Sequence, residues 1–208
     1  MTLKDGIGVS AGKYGSVNHR STCIGYDARN STTTDYSYSM ALGNAARITA
    51  TYQVRVGNTS VTSIGGYEPW TDLSDKRFKK NISDKVVGLN FIMKLRPVTY
   101  NLDIDKLDDF LNVPDSSRDI EGVRIKEAML KTGFLAQEVE QASIECGIEF
   151  SGVDKPKNEN DHYGLRYSIF VVPLVKAVQE QQKIIEAQGE FLKELKAEIQ
   201  LLRGNTDL

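Results

Sequence analysis

A serine followed by a cluster of cations stands where the character of the chain changes. In "TDLSDKRFKKNI", residues 71–82, Ser74 precedes four cations within six positions: Lys76, Arg77, Lys79 and Lys80. A serine hydroxyl becomes a nucleophile when a neighbouring base takes its proton, and a lysine amine can serve as that base. Ser-Asp ahead of an apolar-periodic run is equally typical of a helix N-terminus with a solvated cationic face. The residues alone favour Ser74 as a helix cap beside a solvated cationic face.

Charge and hydropathy exclude several classes of partner. The chain has 208 residues and a formal net charge of -2, so no global field draws it to nucleic acid or to a membrane. The basic patch is short and is interrupted by an aromatic residue, which is a weak signal for nucleic-acid binding. The longest apolar run, Ile169 to Val175, is too short to span a bilayer. We therefore expect no nucleic-acid partner and no membrane insertion.

Cysteine and histidine are too rare for a disulfide scaffold or a histidine-rich metal site. Cys23 and Cys146 lie in different halves of the sequence, which suits folding in a reducing compartment. His19 and His162 are the two histidines. We expect no cofactor and no bound metal.

The first seventy residues repeat an apolar residue followed by glycine. The five copies are Ile7-Gly8, Ile24-Gly25, Leu42-Gly43, Val56-Gly57 and Ile64-Gly65. The segment has no helical period, and its short β-branched pieces predict strands that turn at glycines and stack as a β-solenoid or β-prism over residues 1–73. Apolar residues are sparse, so we expect neighbouring chains to supply contacts. Because the array starts beside Met1 without a capping segment, we also expect a fragment of a longer fibre. A small irregular β-domain is the alternative.

The last forty residues follow a heptad. Positions a are Val171, Val178, Ile185, Leu192 and Ile199, and positions d are Leu174, Gln181, Gln188, Leu195 and Leu202. This pattern predicts a coiled coil over residues 169–208, with a helix from Leu174 to Leu202 of about 43 Å that Gly204-Asn205 ends. The alternative is one amphipathic helix packed on its own domain. The heptads do not fix the strand number, but a threefold β-fibre favours three, so we expect a homotrimer.

The middle of the chain predicts a mixed domain over residues 74–168. A helix should start at Ser83 or Asp84 and run to about Leu95, followed by a strand in "VTYNL". Residues 103–131 are charged, and we expect a solvated excursion. "GFLAQEVEQA" predicts a strand end turning into a short helix, and "GIEFSGV" with "HYGLRYSIF" predicts a hairpin. The fold class is therefore α+β and multidomain.

Two resemblances add to this interpretation. The theme that begins at Ser39, "SMALGNAA", is similar to the head repeats of trimeric adhesins and phage fibres. The ordered blocks "SDKRFKKNI", "LRPVTYN", "GFLAQEV" and "YGLRYS", followed by the heptads, resemble the intramolecular chaperone auto-processing domain. That domain closes phage endosialidases, tailspikes, neck appendages and L-shaped tail fibres, and it is also found in a membrane-bound eukaryotic transcription factor. The resemblance covers Ser74 to about Leu202; Phe78 replaces the usual leucine, and nothing is carried over to residues 103–131.

The resemblance implies a folding device that severs itself. The domain would trimerise, bring three chains of a phage tail fibre or tailspike into register, and cut the chain with Ser74 as nucleophile and Lys79 as base. The cut would fall between Leu73 and Ser74, and a cut one bond later stays open. The fibre would be assembled in the host cytoplasm and belong to the virion tail, the C-terminal domain would be released, and the fibre part could meet a host receptor or glycan.

The chemistry of such a pair can also be argued from the residues. Lys79 must present a neutral amine to take the serine proton; burial on trimerisation and the neighbouring cations would favour it, whereas Asp75 would favour the ammonium. The alternative function is a fibre tip whose C-terminal domain only trimerises or adheres and never cleaves.

Overall fold

The computed structural model describes residues 5–13 and 20–204, so His19 and Asn205 lie outside the described residues. It is a mixed helix and strand (α+β) fold with a long C-terminal helix. Contacts divide the chain into two compact units. The first unit holds the described residues up to Asp72, with Pro97–Gly133 and Lys155–Tyr163; the second holds Leu73–Arg96, Phe134–Asp154 and the described residues from Gly164 onward. The predicted division of the chain into domains 1–73, 74–168 and 169–208 stays a prediction.

Short parallel strands stack in chain order in the first unit. The first six strands are β1 (Asp5–Ile7), β2 (Thr22–Ile24), β3 (Arg29–Asn30), β4 (Met40–Leu42), β5 (Arg47–Ile48) and β6 (Val54–Val56). β1, β2, β4 and β6 form one four-stranded sheet in that order, and β3 pairs with β5. The core beneath them is made largely of small side chains, such as Cys23, Ala28, Ala41 and Ala46. Such a core is thin, as the sparse apolar content predicts.

Glycines at the strand ends permit this stacking. Gly25 has a φ of +126°, and a Cβ built on it would lie 2.5 Å from the carbonyl oxygen of Gly43 on the next strand. Gly8 lies in the same way against Gly25. An L-residue would be strained here and would push successive turns apart. The apolar-Gly repeat is therefore needed at these positions, whereas Gly65 lies outside any strand, with nothing within 4 Å of a Cβ built on it.

One face of the four-stranded sheet is apolar and open in the single chain. The register aligns Ile7, Ile24, Leu42 and Val56 across the four strands. Ile7 is 69 % exposed, and Leu42 and Val56 are also exposed. We call these four residues the aliphatic ladder. Ile24, within the ladder, is half-buried.

The prediction of a solvated excursion over residues 103–131 is wrong. This region contains α2 (Ile104–Phe110), a 3-10 turn (Asp115–Ser117) and α3 (Ile120–Ala128). Strands β7 (Val98–Tyr100) and β8 (Lys131–Gly133) pair antiparallel at its two ends, in agreement with the strand predicted in "VTYNL". Ile104, Val123 and Asp108 are buried, with Asp108 only 1 % exposed. The charged sequence did not predict these helices, because the contacts that hold this region involve polar groups and residues far away in the chain.

The second unit packs short elements around aromatic side chains. Its remaining elements are α1 (Leu89–Ile92), α4 (Ala136–Glu145), β9 (Val153–Asp154), β10 (Gly164–Leu165) and α5 (Val171–Gly204). Phe91 is fully buried against Phe150, with ring centroids 4.9 Å apart, and Phe150 meets Phe170 edge-on at the same distance. The strand end before α4 and the antiparallel β9–β10 pair follow the predictions for those segments.

The helix predicted from Ser83 or Asp84 to Leu95 is wrong in extent. Only α1, residues Leu89–Ile92, is helical, and Gly88 before it has φ −125° and ψ −120°. The Glu180 carboxylate of α5 accepts a hydrogen bond from the Leu89 N–H at 2.8 Å. A tertiary contact therefore caps the helix, and such a cap cannot be read from local residues.

Helix α5 spans 34 residues, about 51 Å at the usual rise. Ala177 faces the unit's own core and is buried, whereas most a and d side chains of the heptad are open to solvent. Those exposed include Val178, Ile185, Leu192 and Ile199. No helix within the described residues has the length and apolar character needed to cross a membrane.

Candidate functional site

Ser74 and Lys79 flank one turn of 3-10 helix, Lys76–Phe78. Asp75 is the N-cap of this turn: its carboxylate accepts a hydrogen bond from the Arg77 N–H at 2.9 Å. The Lys79 N–H closes the turn on the Lys76 carbonyl at 3.1 Å. Because the turn folds the chain back, residues five apart in sequence can bring their side chains together.

The structure brings the two sequence-predicted residues into direct contact. Lys79 Nζ lies 2.8 Å from Ser74 Oγ and donates a hydrogen bond to it. This distance is within the reach that proton transfer between a nucleophile and its base requires. Within the described residues Lys79 makes no ion pair. The contact shows that the two side chains are close enough for a proton to pass between them.

Asp75, which could hold Lys79 as an ammonium, is bound by Arg77. Arg77 donates from Nε at 2.9 Å and from its terminal nitrogen at 2.6 Å to the Asp75 carboxylate. Hydrogen bonds from the Arg77 side chain, and then from its backbone N–H, lower the pKa of the Asp75 carboxyl, and the same pair raises the pKa of Arg77. The Arg77 guanidinium also lies over the Phe78 ring, 5.6 Å from its centroid. Arg77 therefore pairs with Asp75, and the Lys79 amine contacts Ser74 instead.

The site is open to solvent in the single chain. Ser74 and Lys79 are both exposed, and Leu73, on the other side of the predicted cut, is 79 % exposed. Leu73 and Ser74 are the first residues of the second unit. An exposed loop with an accessible carbonyl can reach the conformation that attack by a neighbouring hydroxyl needs. Nothing in the described residues shields the pair from water.

Sequence reasoning gave the helix cap to the wrong residue. Ser74 caps no helix; Asp75 does, and this frees the Ser74 hydroxyl. The role of Arg77 was missed too, although an aspartate and an arginine two residues apart at the start of a turn are a signal for such a pair. Among the described residues, no group of three or more histidine, cysteine, aspartate or glutamate side chains could hold a metal ion.

Comparison with known proteins gives one match. Residues 74–148 match the model of a peptidase family described as "chaperone of endosialidase", and the match begins at Ser74. Neither the curated proteins nor the solved structures contain a match to this chain. These residues are therefore similar to a chaperone of an endosialidase. The chain therefore carries, over residues 74–148, a segment of the endosialidase chaperone type.

Proposed function

We propose that this protein is a self-cleaving intramolecular chaperone: it assembles three copies of a phage tail fibre or tailspike and then cuts the chain between Leu73 and Ser74. The observation that carries the proposal is the 2.8 Å contact between Ser74 Oγ and Lys79 Nζ at the first residues of the family match. The homotrimer, and a host receptor or glycan for the fibre part, belong to the same proposal.

The cut is an acyl shift followed by hydrolysis. Lys79, as a neutral amine, takes the proton of Ser74 Oγ while the oxygen attacks the carbonyl carbon of Leu73. The bond from that carbon to the Ser74 nitrogen breaks, the nitrogen takes up a proton, and Leu73 is held as an ester on Ser74. Water then attacks the ester, leaving a Leu73 carboxylate and restoring the serine hydroxyl. The products are residues 1–73 and 74–208, each reaction occurs once per chain, and no cofactor is consumed.

Assembly would switch this chemistry on. In a single chain Ser74 and Lys79 are both exposed to water. A neighbouring copy that covers the pair would withdraw water and favour the neutral amine. The cut would then follow assembly, which makes it a check on correct folding.

The apolar face of α5 supports the trimer. Val178 is 63 % exposed, and Ile185, Leu192 and Ile199 are each at least 41 % exposed, one heptad apart. Burying such side chains is worth roughly 25 cal/mol per Å² of apolar surface removed from water. Partner helices laid along this face would bury it in the manner of a coiled coil.

The aliphatic ladder gives independent support from the other unit. Ile7, Ile24, Leu42 and Val56 stand in register on strands whose own core is built of small residues. Three such faces meeting at an axis would provide the apolar core that one chain lacks. Stacked β-turns held by several chains depend on contacts between molecules and form slowly, so a helix that tethers the chains first would speed registration.

The proposal is tested by mass measurement under denaturing conditions. Wild type should separate into residues 1–73 and 74–208, while Ser74→Ala and Lys79→Ala keep the intact 23.1 kDa chain. Lys80→Ala is the matched control, because it removes a neighbouring exposed cation that does not contact Ser74, and it should cleave.

Two outcomes would contradict the proposal. Cleavage of Ser74→Ala or Lys79→Ala at the wild-type rate would exclude this pair as the catalytic group. A native assembly of wild type that stays intact after long incubation would favour the non-cleaving fibre tip instead.

A further inference from the structure

Residues from both sides of the predicted cut share one compact unit. Pro97–Gly133 and Lys155–Tyr163 follow Ser74 in sequence, yet they fold into the first unit with the stacked strands that precede Leu73. We call these two ranges the docking segments. Hydrolysis of the Leu73–Ser74 bond would leave every contact between them and the strands in place.

Asp161 contacts three side chains of the stacked strands through one carboxylate. Its carboxylate accepts a hydrogen bond from Thr49 Oγ1 at 2.6 Å and from Gln53 Nε2 at 3.2 Å, and Arg55 pairs with it at 3.4 Å. Asp161 is 6 % exposed and Thr49 is fully buried. A carboxylate so enclosed is held in place by its partners, because losing them would leave a buried charge unpaired.

Asn158, in the same docking segment as Asp161, makes a second hydrogen bond to the strand residues. Asn158 Nδ2 donates to the carbonyl oxygen of Thr49 at 2.9 Å. Gln53 Oε1 accepts from the Thr49 N–H at 3.1 Å, so the strand residues that receive the segment are themselves fixed. Thr49 therefore offers a fixed carbonyl oxygen to Asn158, and the side chains of Thr49 and Gln53 offer fixed donors to Asp161.

The longer docking segment makes three further contacts with the fibre side. Asp108, which is buried, accepts from Thr59 Oγ1 at 2.6 Å. Lys126 Nζ donates to the Val61 carbonyl oxygen at 2.6 Å, and Ser117 Oγ donates to Asp27 at 3.3 Å. The contacts therefore extend from the strands to the segment that follows β6. Two of them involve a buried carboxylate, Asp108 or Asp27, and breaking such a contact would leave a buried polar group without that partner.

We propose that the chaperone piece stays docked on the fibre after the cut, through the docking segments, and that its release is a separate step limited by the contacts of Asp161 with Thr49 and Gln53. The partner of this surface is residues 27–61 of the same chain once they have become a separate polypeptide. The proposal uses the cut of the proposed function, but the interface exists with or without it.

The test makes the cut independently of Ser74. A recognition sequence for a site-specific protease is inserted between Gly65 and Gly66, where both glycines are exposed and a Cβ on Gly65 would meet nothing within 4 Å, in a Ser74→Ala background. After nicking, the two pieces should co-elute at neutral pH in size-exclusion chromatography. The dissociation rate is then measured by dilution with a fluorophore on each piece.

Asp161→Asn should raise that dissociation rate at least tenfold, and Thr49→Val should do the same from the other side of the interface. Glu159→Gln is the matched control: it removes a carboxylate two residues away that is exposed, and it should leave the rate unchanged. If Thr49→Val adds nothing to Asp161→Asn, the two side chains act through one contact, as proposed.

Immediate separation of folded pieces on nicking would overturn the proposal, and so would equal dissociation rates for Asp161→Asn and Glu159→Gln. Because the nick comes from an added protease, these results are independent of self-cleavage. A failure of Ser74 chemistry appears instead as an intact, un-nicked wild type.

Discussion

At the scale of residues, the site depends on which charged side chains pair with one another around the 3-10 turn Lys76–Phe78. Asp75 caps the turn and binds Arg77, so neither its hydrogen-bonding capacity nor its charge is directed at Lys79. Ser74, which precedes the cap, keeps its hydroxyl for Lys79. The short stretch that a local rule would assign to a helix start therefore also holds a serine hydroxyl beside a lysine amine.

Arg77→Gln tests this distribution of charge. Without the guanidinium, the Asp75 carboxylate would be free to attract the Lys79 side chain, so the pH profile of self-cleavage should move to higher pH. The measurement is the cleavage rate from pH 6 to pH 10. Arg124→Gln, which breaks an exposed Arg–Glu pair elsewhere, is the control and should leave the profile in place. An unchanged profile for Arg77→Gln would show that Asp75 does not influence the base.

Two buried carboxylates make the first unit sensitive to acid. Burial raises the pKa of both, but hydrogen bonds from Arg29 and Arg47 to Asp27, and from Thr49 and Gln53 to Asp161, outweigh it, so both carboxyl pKa values lie below the ordinary one. The stability they provide is present above the unfolded-state pKa, about 3.9, and is lost as pH falls through the lower folded value.

Thermal unfolding measured by circular dichroism should therefore show a Tm that falls steeply below about pH 4. Asp161→Asn should have a lower Tm at pH 7 and a shallower fall, because the titrating group is gone. Glu159→Gln should follow wild type. If the slope for Asp161→Asn equals that of wild type, Asp161 contributes nothing to acid sensitivity.

At the scale of elements, the strands depend on glycines only where backbone meets backbone. Gly25 lies against Gly43 with a positive φ, whereas Gly65 lies in open space. The same apolar-Gly pair thus marks a strand end at four positions and an exposed coil at the fifth. A copy of the repeat is therefore needed for the fold only where its glycine directly follows one of the paired strands.

Gly25→Ala should destabilise the protein by on the order of 1–3 kcal/mol, because the added Cβ meets the Gly43 carbonyl and the backbone is left-handed. Gly65→Ala is the matched control and should change stability by less than about 1 kcal/mol. Chemical denaturation with urea measures both. Equal stabilities for the two variants would mean that the stacked turns tolerate a side chain.

Helix α5 makes a separate prediction about assembly. Ile185 is an exposed a position, so Ile185→Lys should place a charge at the helix interface and convert the assembly to monomers, as measured by light scattering. Glu186→Lys, one residue along on the polar side, is the control and should keep the assembly. An Ile185→Lys protein that still forms trimers would show that another surface holds the chains together.

The parts of this fold that sequence predicts are those with a local cause. The heptad periodicity predicted the long helix α5. The apolar-Gly turns with β-branched pieces predicted the short strands of the first unit. The short α1 was overestimated, because its cap is Glu180, ninety-one residues away. Residues 103–131 were taken for solvated chain because the partners of Asp108 and Lys126 are Thr59 and Val61. The Ser74–Lys79 spacing admitted a reactive pair, but only the resemblance singled it out from a capped, solvated turn.

At the scale of the whole molecule, two exposed apolar faces and the Ser74–Lys79 pair belong to a single chain. The aliphatic ladder lies in the first unit, and the heptad face and the Ser74–Lys79 pair lie in the second. A device that first gathers chains and then cuts itself requires all three features. If the chaperone piece stays docked as proposed, the docking segments would add a delay between cutting and release.

The most direct test follows the intact mass of the wild-type protein and of monomeric Ile185→Lys over time, with assembly recorded on the same samples by light scattering. Trimeric wild type should lose its 23.1 kDa chain and yield residues 1–73 and 74–208, while the monomer stays whole. Cleavage of the monomer at the wild-type rate, or a stable trimer that keeps the Leu73–Ser74 bond, would contradict assembly-gated self-cleavage.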